Sequence, residues 1–241
     1  MKQTDFKRAA LDAALGRLGL EFEEQVKDQL LLYLDLVIEK NKVLNLTRIT
    51  SFEDAVVLHL EDSLSILEDF SQTSGNYLDI GTGAGFPGIP LGLTTDRKGV
   101  LLDSVKKKAV AVQGFIDELG LSPRLRATGM RSEELAQQQP NSFGVVTARA
   151  VSSLPAVEEL ATPLLKKGGH LIAMRGIDTP EDVKQGKAAA KILGLELVDR
   201  KEFKIGPTGE YTRSVCVFQK IGKSQIKLPR HPGYASKRPI V

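Results

Sequence analysis

The chain has 241 residues, of which 41% are apolar and 26% are charged, and a single cysteine, Cys216. This composition excludes a fibrous or wholly disordered protein, and one cysteine excludes an internal disulfide and every multi-cysteine metal site. No segment approaches the roughly 20 apolar residues of a membrane span, and the charged first ten residues lack the apolar run of a secretory signal, so we expect a cytoplasmic protein without a membrane partner.

Positive charge is concentrated near the end of the sequence. The 33 basic and 30 acidic residues give a net charge of +3, but residues 220–241 hold six basic residues and no acid, so the remainder carries −3. A short basic segment attracts a polyanion by releasing its counterions, which favours RNA binding; a solubilising, disordered end is the alternative. The candidate RNA contacts are Lys223, Lys227, Arg230, Lys237 and Arg238.

The first 75 residues are predicted to be helical. Leu11, Leu15 and Leu18 repeat at helical spacing, and a longer apolar pattern of the same period continues to Val37. Ser51 begins a capping-box pattern, and the helices that follow it extend to about residue 70. We therefore expect a helical N-terminal extension over residues 1–75, packed on the domain that follows.

From residue 77 onward, short apolar strands alternate with helical stretches, a pattern typical of a parallel sheet. Predicted strands cover residues 77–80, 99–102, 125–128, 145–148 and 170–174. Predicted helices cover residues 86–93, with Pro87 in the first turn, 105–119, 155–165 and 181–193. Residues 195–204 and 212–218 resemble a hairpin and predict an antiparallel edge. The pattern indicates a doubly wound α/β domain over residues 76–219, followed by a basic tail over 220–241.

Clustered glycines separate the first strand from the first helix of this domain. Gly81, Gly83 and Gly85 alternate there, so the backbone can pass close beneath a flat or charged ligand where a side chain would collide with it. A glycine turn without a ligand is the alternative. The pattern favours a nucleotide-like ligand at the end of the strand.

Two features favour S-adenosylmethionine over a dinucleotide. Asp79 lies two residues before Gly81, and a carboxylate there suits a cationic ligand and repels a pyrophosphate. A dinucleotide frame that starts at Gly81 would need its third glycine at position 86, which is Phe86. The loop also lacks the Gly-Lys-Ser/Thr of a Walker-type phosphate site.

Asp103 ends the next strand, 22 residues after Gly81. A carboxylate at this place accepts hydrogen bonds from two ribose hydroxyls in either nucleotide class. Capping of the following helix is the alternative role. Asp103 is thus a candidate cofactor-binding residue, but its presence does not distinguish S-adenosylmethionine from a dinucleotide.

Five separate motifs give the chain a resemblance to the small-subunit ribosomal RNA methyltransferase G family, also called glucose-inhibited division protein B. They occur in the family's order, and the resemblance covers most of the chain. The motifs are Asn-Lys-Val-Leu-Asn-Leu-Thr at 41–47, His-Leu-Glu-Asp-Ser-Leu at 59–64, the loop at 79–91 with its Pro-Gly-Ile-Pro extension, Val-Thr-Ala-Arg-Ala at 146–150 and Leu-Pro-Arg at 228–230.

The resemblance implies a class I S-adenosylmethionine methyltransferase fold, Rossmann-like with a mostly parallel seven-stranded sheet. It also implies methyl transfer to N7 of a guanine in small-subunit (16S) rRNA, free or within an assembling 30S particle. By position, Gly81 and Phe86 would line the cofactor, Ser132 and Glu133 would lie against its adenine, and Arg149 would stand at the cofactor site. We further expect a monomer without a metal.

The implied chemistry needs no catalytic dyad. Guanine N7 has a free lone pair at neutral pH, so positioning dominates and no general base is required. Arg149 is the one candidate for a direct role, on a phosphate or the guanine edge; a structural ion pair with a residue such as Glu133 is the alternative. His59 is interpreted as a structural partner of Asp62 or, alternatively, as an RNA contact.

Three functional classes remain open at this point. The preferred one is an rRNA methyltransferase, the second is an NAD-dependent oxidoreductase, and the third is a binding module that has kept the fold and lost catalysis.

Three consecutive lysines follow Asp103. Residues Lys106, Lys107 and Lys108 are interpreted as a solvated face, with RNA contact as the alternative.

Overall fold

The structure of the protein, a computed structural model, describes residues 3–241. The first two residues of the predicted N-terminal extension lie outside the described residues. A seven-stranded sheet forms the centre, in the order β3-β2-β1-β4-β5-β7-β6. Its strands are β1 (Tyr77–Ile80), β2 (Gly99–Leu102), β3 (Leu125–Thr128), β4 (Phe143–Arg149), β5 (Leu165–Arg175), β6 (Leu195–Ile205) and β7 (Tyr211–Lys220).

The first five strands are parallel, and only β7 runs antiparallel to its neighbours β5 and β6. The strand order therefore reverses between β1 and β4, and ligands of such sheets bind at that point, beyond the carboxyl ends of the strands. The helices of this half are α6 (Gly88–Thr94), α7 (Lys106–Glu118), α8 (Ser132–Gln138), α9 (Leu154–Ala161) and α10 (Pro180–Leu193).

Helices of the first 75 residues pack onto one face of the sheet. They are α1 (Gln3–Arg17), α2 (Glu24–Leu44), α3 (Phe52–Ala55), α4 (Asp62–Leu64) and α5 (Leu67–Ser71). A π-helical turn (Val56–Glu61) joins α3 to α4, so these two helices form one continuous helical segment. Ser51 caps α3 as predicted, because its hydroxyl accepts from the Asp54 amide at 3.1 Å. These helices share one apolar core with α6 and α7, whereas α8, α9 and α10 cover the opposite face.

Two helices differ from the sequence-based prediction. The helix expected over 155–165 ends at Ala161, because Pro163 follows and has no backbone N–H to continue the hydrogen bonds of the helix. Leu165 instead starts β5, and Gly168 and Gly169 lie within that strand. Pro87 does not occupy a first helical turn, since α6 begins at Gly88 and the glycine loop extends to Pro87.

The C-terminal segment is folded onto the domain. A short helix, α11 (Tyr234–Lys237), packs against α9. Arg230 forms a bidentate ion pair with Glu159 of α9, and the Gly233 amide donates to Glu133 of α8 at 2.8 Å. The alternative of a disordered end is therefore wrong. The division of the chain into an extension, a central domain and a tail remains a prediction.

Candidate active site

An open cleft lies at the carboxyl edge of β1 and β4. It encloses about 1320 Å³, above the roughly 300–1,000 Å³ of common small-molecule pockets, so it has room for more than one small ligand. One part of its lining is the glycine loop, and another is the segment 41–50, which comprises the last turn of α2 and the residues after it. Three arginines from β4, β5 and β7 complete the lining: Arg149, Arg175 and Arg213.

The three glycines of the loop have different surroundings. All three have positive φ, which L side chains rarely adopt. A Cβ on Gly81 would lie 2.7 Å from Val151, and one on Gly85 would lie 2.6 Å from the Tyr33 hydroxyl. A Cβ on Gly83 would meet only the Gly81 carbonyl oxygen, at 3.9 Å. Gly81 and Gly85 are thus required by protein packing, while Gly83 borders the open cleft and leaves a cradle for a ligand.

Asp79 lies beneath this loop and holds it in place. Its carboxylate is fully buried and accepts hydrogen bonds from the Thr82 hydroxyl (2.6 Å), the Thr147 hydroxyl (2.8 Å) and the Gly88 amide (3.1 Å). Burial raises the pKa of Asp79 to about 6, although these donors and Arg149 oppose the rise. The expectation that Asp79 contacts a cationic ligand is corrected, because its side chain is fully buried beneath the loop and does not border the cleft.

Asp103 connects the end of β2 to the loop. One carboxylate oxygen accepts from the Gly83 amide at 3.0 Å, and the other accepts from the Val105 amide at 2.8 Å, at the start of α7. The helix-capping alternative is wrong, because no side chain caps α7 and the contact with Val105 belongs to the turn before the helix. An ionised carboxylate offers about four lone-pair sites, so Asp103 can still accept hydrogen bonds from ligand hydroxyls beside Gly83.

Phe86 packs between the loop and the N-terminal helices. Its ring stacks on His59 at a centroid distance of 4.3 Å and an interplanar angle of 9°, and it lies 4.9 Å from Tyr33. The Tyr33 hydroxyl donates to the Ala84 carbonyl at 2.8 Å. Phe86 borders the cleft but is only 2% exposed. The N-terminal helices therefore help to shape the loop.

Arg149 is held by the buried carboxylate of Asp62. Its Nη1 donates to Asp62 Oδ2 at 2.8 Å and to the Leu58 carbonyl at 2.8 Å, and Arg213 Nε donates to Asp62 Oδ1 at 2.8 Å. The alternative of a structural ion pair is supported for Arg149, but its partner is Asp62 and not Glu133. The predicted pair of His59 with Asp62 is wrong, because the ring nitrogens of His59 face Thr47 and Arg149. No local pattern marks Arg213, whose partner is 151 residues away.

Ser132 and Glu133 begin α8 and are 6% and 7% exposed. Glu133 Oε1 accepts from the Gly233 amide, so the C-terminal segment lies over the residues that the family resemblance places at the adenine. Neither residue borders the open cleft, whereas Asp103 is joined to it through Gly83.

The five candidate RNA contacts of the tail fall into two groups, and the sixth basic residue, Lys220, is buried at the end of β7. Arg230 is occupied by Glu159 and by the Arg238 carbonyl, so the prediction that its guanidinium is free for RNA is corrected. Lys223, Lys227, Lys237 and Arg238 are exposed. Of the three lysines after Asp103, Lys106 and Lys107 are exposed and Lys108 borders the cleft.

Neither a membrane span nor a metal cluster is found in the described part of the chain. Among residues 3–241, no helix is both long enough and apolar enough to cross a membrane. Within the same range, no group of three or more His, Cys, Asp or Glu side chains is arranged to hold a metal ion.

Comparison with known proteins decides the family. The family model described as rRNA small subunit methyltransferase G matches residues 26–210, which include the cleft-lining loop, Asp103 and Arg149. The chain belongs to this family. Two curated members of the rRNA small subunit methyltransferase G family illustrate the likeness. The protein from Alkaliphilus metalliredigens is 37% identical and aligns over 92% of this chain and 94% of its own. The one from Carboxydothermus hydrogenoformans is 36% identical, over 96% and 99%.

Solved structures share the fold at low identity. The O-methyltransferase from Bacillus cereus, in complex with SAH, has a TM-score of 0.56 and 19% identity, over 78% of this chain and 90% of its own. A putative sarcosine dimethylglycine methyltransferase from Galdieria sulphuraria has a TM-score of 0.55 and 13% identity, over 72% and 89%. The predicted fold class is confirmed.

Membership of the rRNA small subunit methyltransferase G family also confirms the predicted enzyme class and S-adenosylmethionine as the cofactor. The oxidoreductase alternative is wrong. The loop fits this cofactor, because Gly83 leaves an open cradle and Asp103 presents carboxylate oxygens next to it.

Proposed function

We propose that this protein transfers the methyl group of S-adenosylmethionine to N7 of a guanine in small-subunit (16S) ribosomal RNA, in the cytoplasm and as a monomer. The observation that carries the proposal is the cleft itself: an open cradle at Gly83, next to Asp103, continues into a space walled by the N-terminal segment and by arginines. A cofactor over Gly83 would leave room for a nucleotide.

Several residues of the loop and its neighbours would hold the cofactor. Asp103 would accept from the ribose hydroxyls, and the backbone at Gly81 and Gly83 would pass beneath the ligand. Ser132 and Glu133 would border the adenine, together with the C-terminal segment that Glu133 contacts. Asp79, Gly85 and Phe86 would act indirectly, by fixing the shape of the loop.

S-adenosylmethionine supplies an electrophilic methyl group on a cationic sulfur. The protein's contribution would be to align a base with that group and to keep water out, since guanine N7 needs no deprotonation. Arg149 and Arg213 share one carboxylate, Asp62, so this wall of the cleft keeps a net positive charge. That charge suits a phosphate of the RNA substrate.

Asp103→Ala is expected to weaken binding of S-adenosylmethionine by about 1–3 kcal/mol, roughly 5- to 150-fold, because ribose hydroxyls lose their acceptor. Isothermal titration calorimetry measures the dissociation constant. Asp96→Ala is the matched control, since Asp96 is an exposed residue just before the other end of β2. Equal affinity of the Asp103→Ala variant and the wild type would remove Asp103 from the cofactor site.

Replacing the four exposed basic residues of the tail by glutamine is expected to lower RNA affinity and to flatten its salt dependence. The log-log slope should fall by up to about 0.7–0.9 for each phosphate that the tail no longer neutralises. The changed residues are Lys223, Lys227, Lys237 and Arg238. A control variant changes four exposed lysines elsewhere: Lys166, Lys167, Lys187 and Lys191. If both variants show the wild-type slope, the tail binds no phosphate.

Calorimetry and methyl transfer together test the proposed function. The protein should bind S-adenosylmethionine and S-adenosylhomocysteine and should not bind NADH. Labelled methyl is then offered with protein-free small-subunit rRNA and, separately, with assembled small subunits. Transfer to either supports the proposal and identifies the substrate form. Cofactor binding with no methyl transfer to either the protein-free rRNA or the assembled subunits would favour the alternative of a binding module.

A further inference from the structure

Thr47 lines the cleft and is fixed by its neighbours. Asn41 clamps its backbone: Nδ2 donates to the Thr47 carbonyl and Oδ1 accepts from the Thr47 amide, both at 2.9 Å. The Thr47 hydroxyl oxygen accepts from the Ile49 amide at 3.1 Å and lies 3.0 Å from His59 Nε2. Thr47, Asn41 and His59 all border the cleft. The hydroxyl therefore has a defined position in the space beside the loop.

The surroundings of His59 decide which of its ring nitrogens carries the proton. Burial and, next, Arg149 lower the pKa of His59 to about 3, against a smaller opposing effect of the Leu58 carbonyl, so the imidazole is neutral and holds one proton. Arg149 Nη2 lies 3.4 Å from Nδ1. A guanidinium has donors only, so Nδ1 is the acceptor, and the proton is on Nε2. The Leu58 carbonyl itself accepts from Arg149 Nη1 at 2.8 Å.

This tautomer sets the direction of the Thr47 hydroxyl. His59 Nε2–H and the Ile49 amide both donate to the oxygen and use its two lone pairs. The hydroxyl proton must then point away from both, and the cleft is where an acceptor can approach it. In this chain of hydrogen bonds Arg149 donates to His59 and His59 donates to Thr47, so the Thr47 hydroxyl is left as a donor toward the substrate space.

The position of that space follows from the proposed function, on which this inference rests. A cofactor over Gly83 with its ribose at Asp103 occupies the β2 side of the cleft. The other residues that line the cleft include Thr47, His59 and Arg149, so the base that receives the methyl group would enter beside Thr47.

We propose that the Thr47 hydroxyl donates a hydrogen bond to O6 of the target guanine and thereby selects guanine at this position. O6 lies next to N7 on the same edge of the base, so a donor there also orients N7 toward the methyl group. Adenine presents an amino donor in place of O6, and two donors facing each other are unfavourable. His59 and Asn41 are positioning residues in this arrangement.

The test combines a change in the protein with a change in the base. The guanine methylated by the wild-type protein is mapped, and rRNA is assembled by ligation with guanine, inosine or 2-aminopurine at that position. Inosine keeps O6, whereas 2-aminopurine lacks it. For the wild type, kcat/KM should be similar for guanine and inosine and at least about tenfold lower for 2-aminopurine.

Thr47→Val, which removes the hydroxyl, should lower kcat/KM on guanine by a similar factor and show no further loss on 2-aminopurine. Thr47→Ser, which retains it, should restore most of the activity and the difference between the bases. The affinity for S-adenosylmethionine should stay close to the wild-type value. The melting temperature should fall in Thr47→Val, because the Ile49 amide and His59 lose their acceptor, and should recover in Thr47→Ser. The difference between guanine and 2-aminopurine, which a purely structural residue would leave unchanged, therefore carries the test.

Two results would overturn the inference. One is a wild-type protein that methylates guanine and 2-aminopurine at equal rates, which needs no variant to detect. The other is a Thr47→Val protein that keeps the full difference between the two bases. Failure of the proposed function looks different, because the wild type would then methylate none of the three RNAs.

Discussion

Gly83→Val is expected to weaken binding of S-adenosylmethionine by about 100-fold or more, equivalent to roughly 3 kcal/mol. A side chain at Gly83 meets almost no protein atom, since the nearest heavy atom is the Gly81 carbonyl oxygen at 3.9 Å. The added methyl groups would instead occupy the cradle that the cofactor needs. Calorimetric titration with S-adenosylmethionine and S-adenosylhomocysteine measures the loss.

Backbone strain has to be separated from this steric effect. Gly83 has φ +62°, and valine in that conformation costs about 1–2 kcal/mol of stability. Gly120→Val is the matched control, because Gly120 has φ +69°, has no protein atom near its Cβ and follows α7 away from the cleft. Both variants should lose similar stability, and only Gly83→Val should lose the cofactor. Wild-type affinity in Gly83→Val would contradict the placement of the cofactor over the loop.

Glu158→Gln is expected to raise the free energy of unfolding at pH 7 by on the order of 3 kcal/mol. Glu158 lies on α9, is fully buried, and neither carboxylate oxygen has a hydrogen-bond partner among the described residues. Burial raises its pKa from 4.5 to about 9. The folded protein therefore holds the carboxyl protonated at neutral pH, whereas the unfolded chain releases the proton.

The sign of the pH dependence follows from that difference. Because the folded pKa lies above the unfolded one, the stability from this group is complete below pH 4.5 and is lost as the pH rises toward 9. Urea unfolding of the wild type should show a decline that continues to about pH 9. The Glu158→Gln variant should lack the part above pH 6, where the raised pKa of Asp79 no longer contributes. Glu159→Gln is the control, since it breaks the ion pair with Arg230 and should not stabilise the protein. Identical pH profiles of wild type and Glu158→Gln would show that Glu158 is not a buried acid.

Strands of the central sheet can be predicted from the sequence because they are short, apolar and bounded by polar turns. The predicted bounds of β1, β2 and β3 agree with the structure. The predicted end of α9 is wrong because the apolar run continues past it, through Leu164 and Leu165, into β5. Pro163 is the local signal that separates the two elements.

Roles within the cleft are less predictable, since they depend on contacts between distant segments. The position of Asp79 on the first strand follows from the sequence. The orientation of its carboxylate depends on a hydrogen bond from Thr147, which is 68 residues away. The partner of Arg149, Asp62, is 87 residues away, in a segment that the sequence shows only as helical. The ion pair of Arg230 with Glu159 likewise joins two segments whose proximity no local pattern reveals.

The most direct test of the proposed function is to locate the methyl group in the RNA product. Small subunits from cells that lack this protein would be incubated with it and labelled S-adenosylmethionine, and the rRNA would be digested to nucleosides and fragments for mass spectrometry. We expect one labelled methyl per RNA, on N7 of a single guanine. Label on another base or ring atom, or no label in the RNA, would contradict the proposed function.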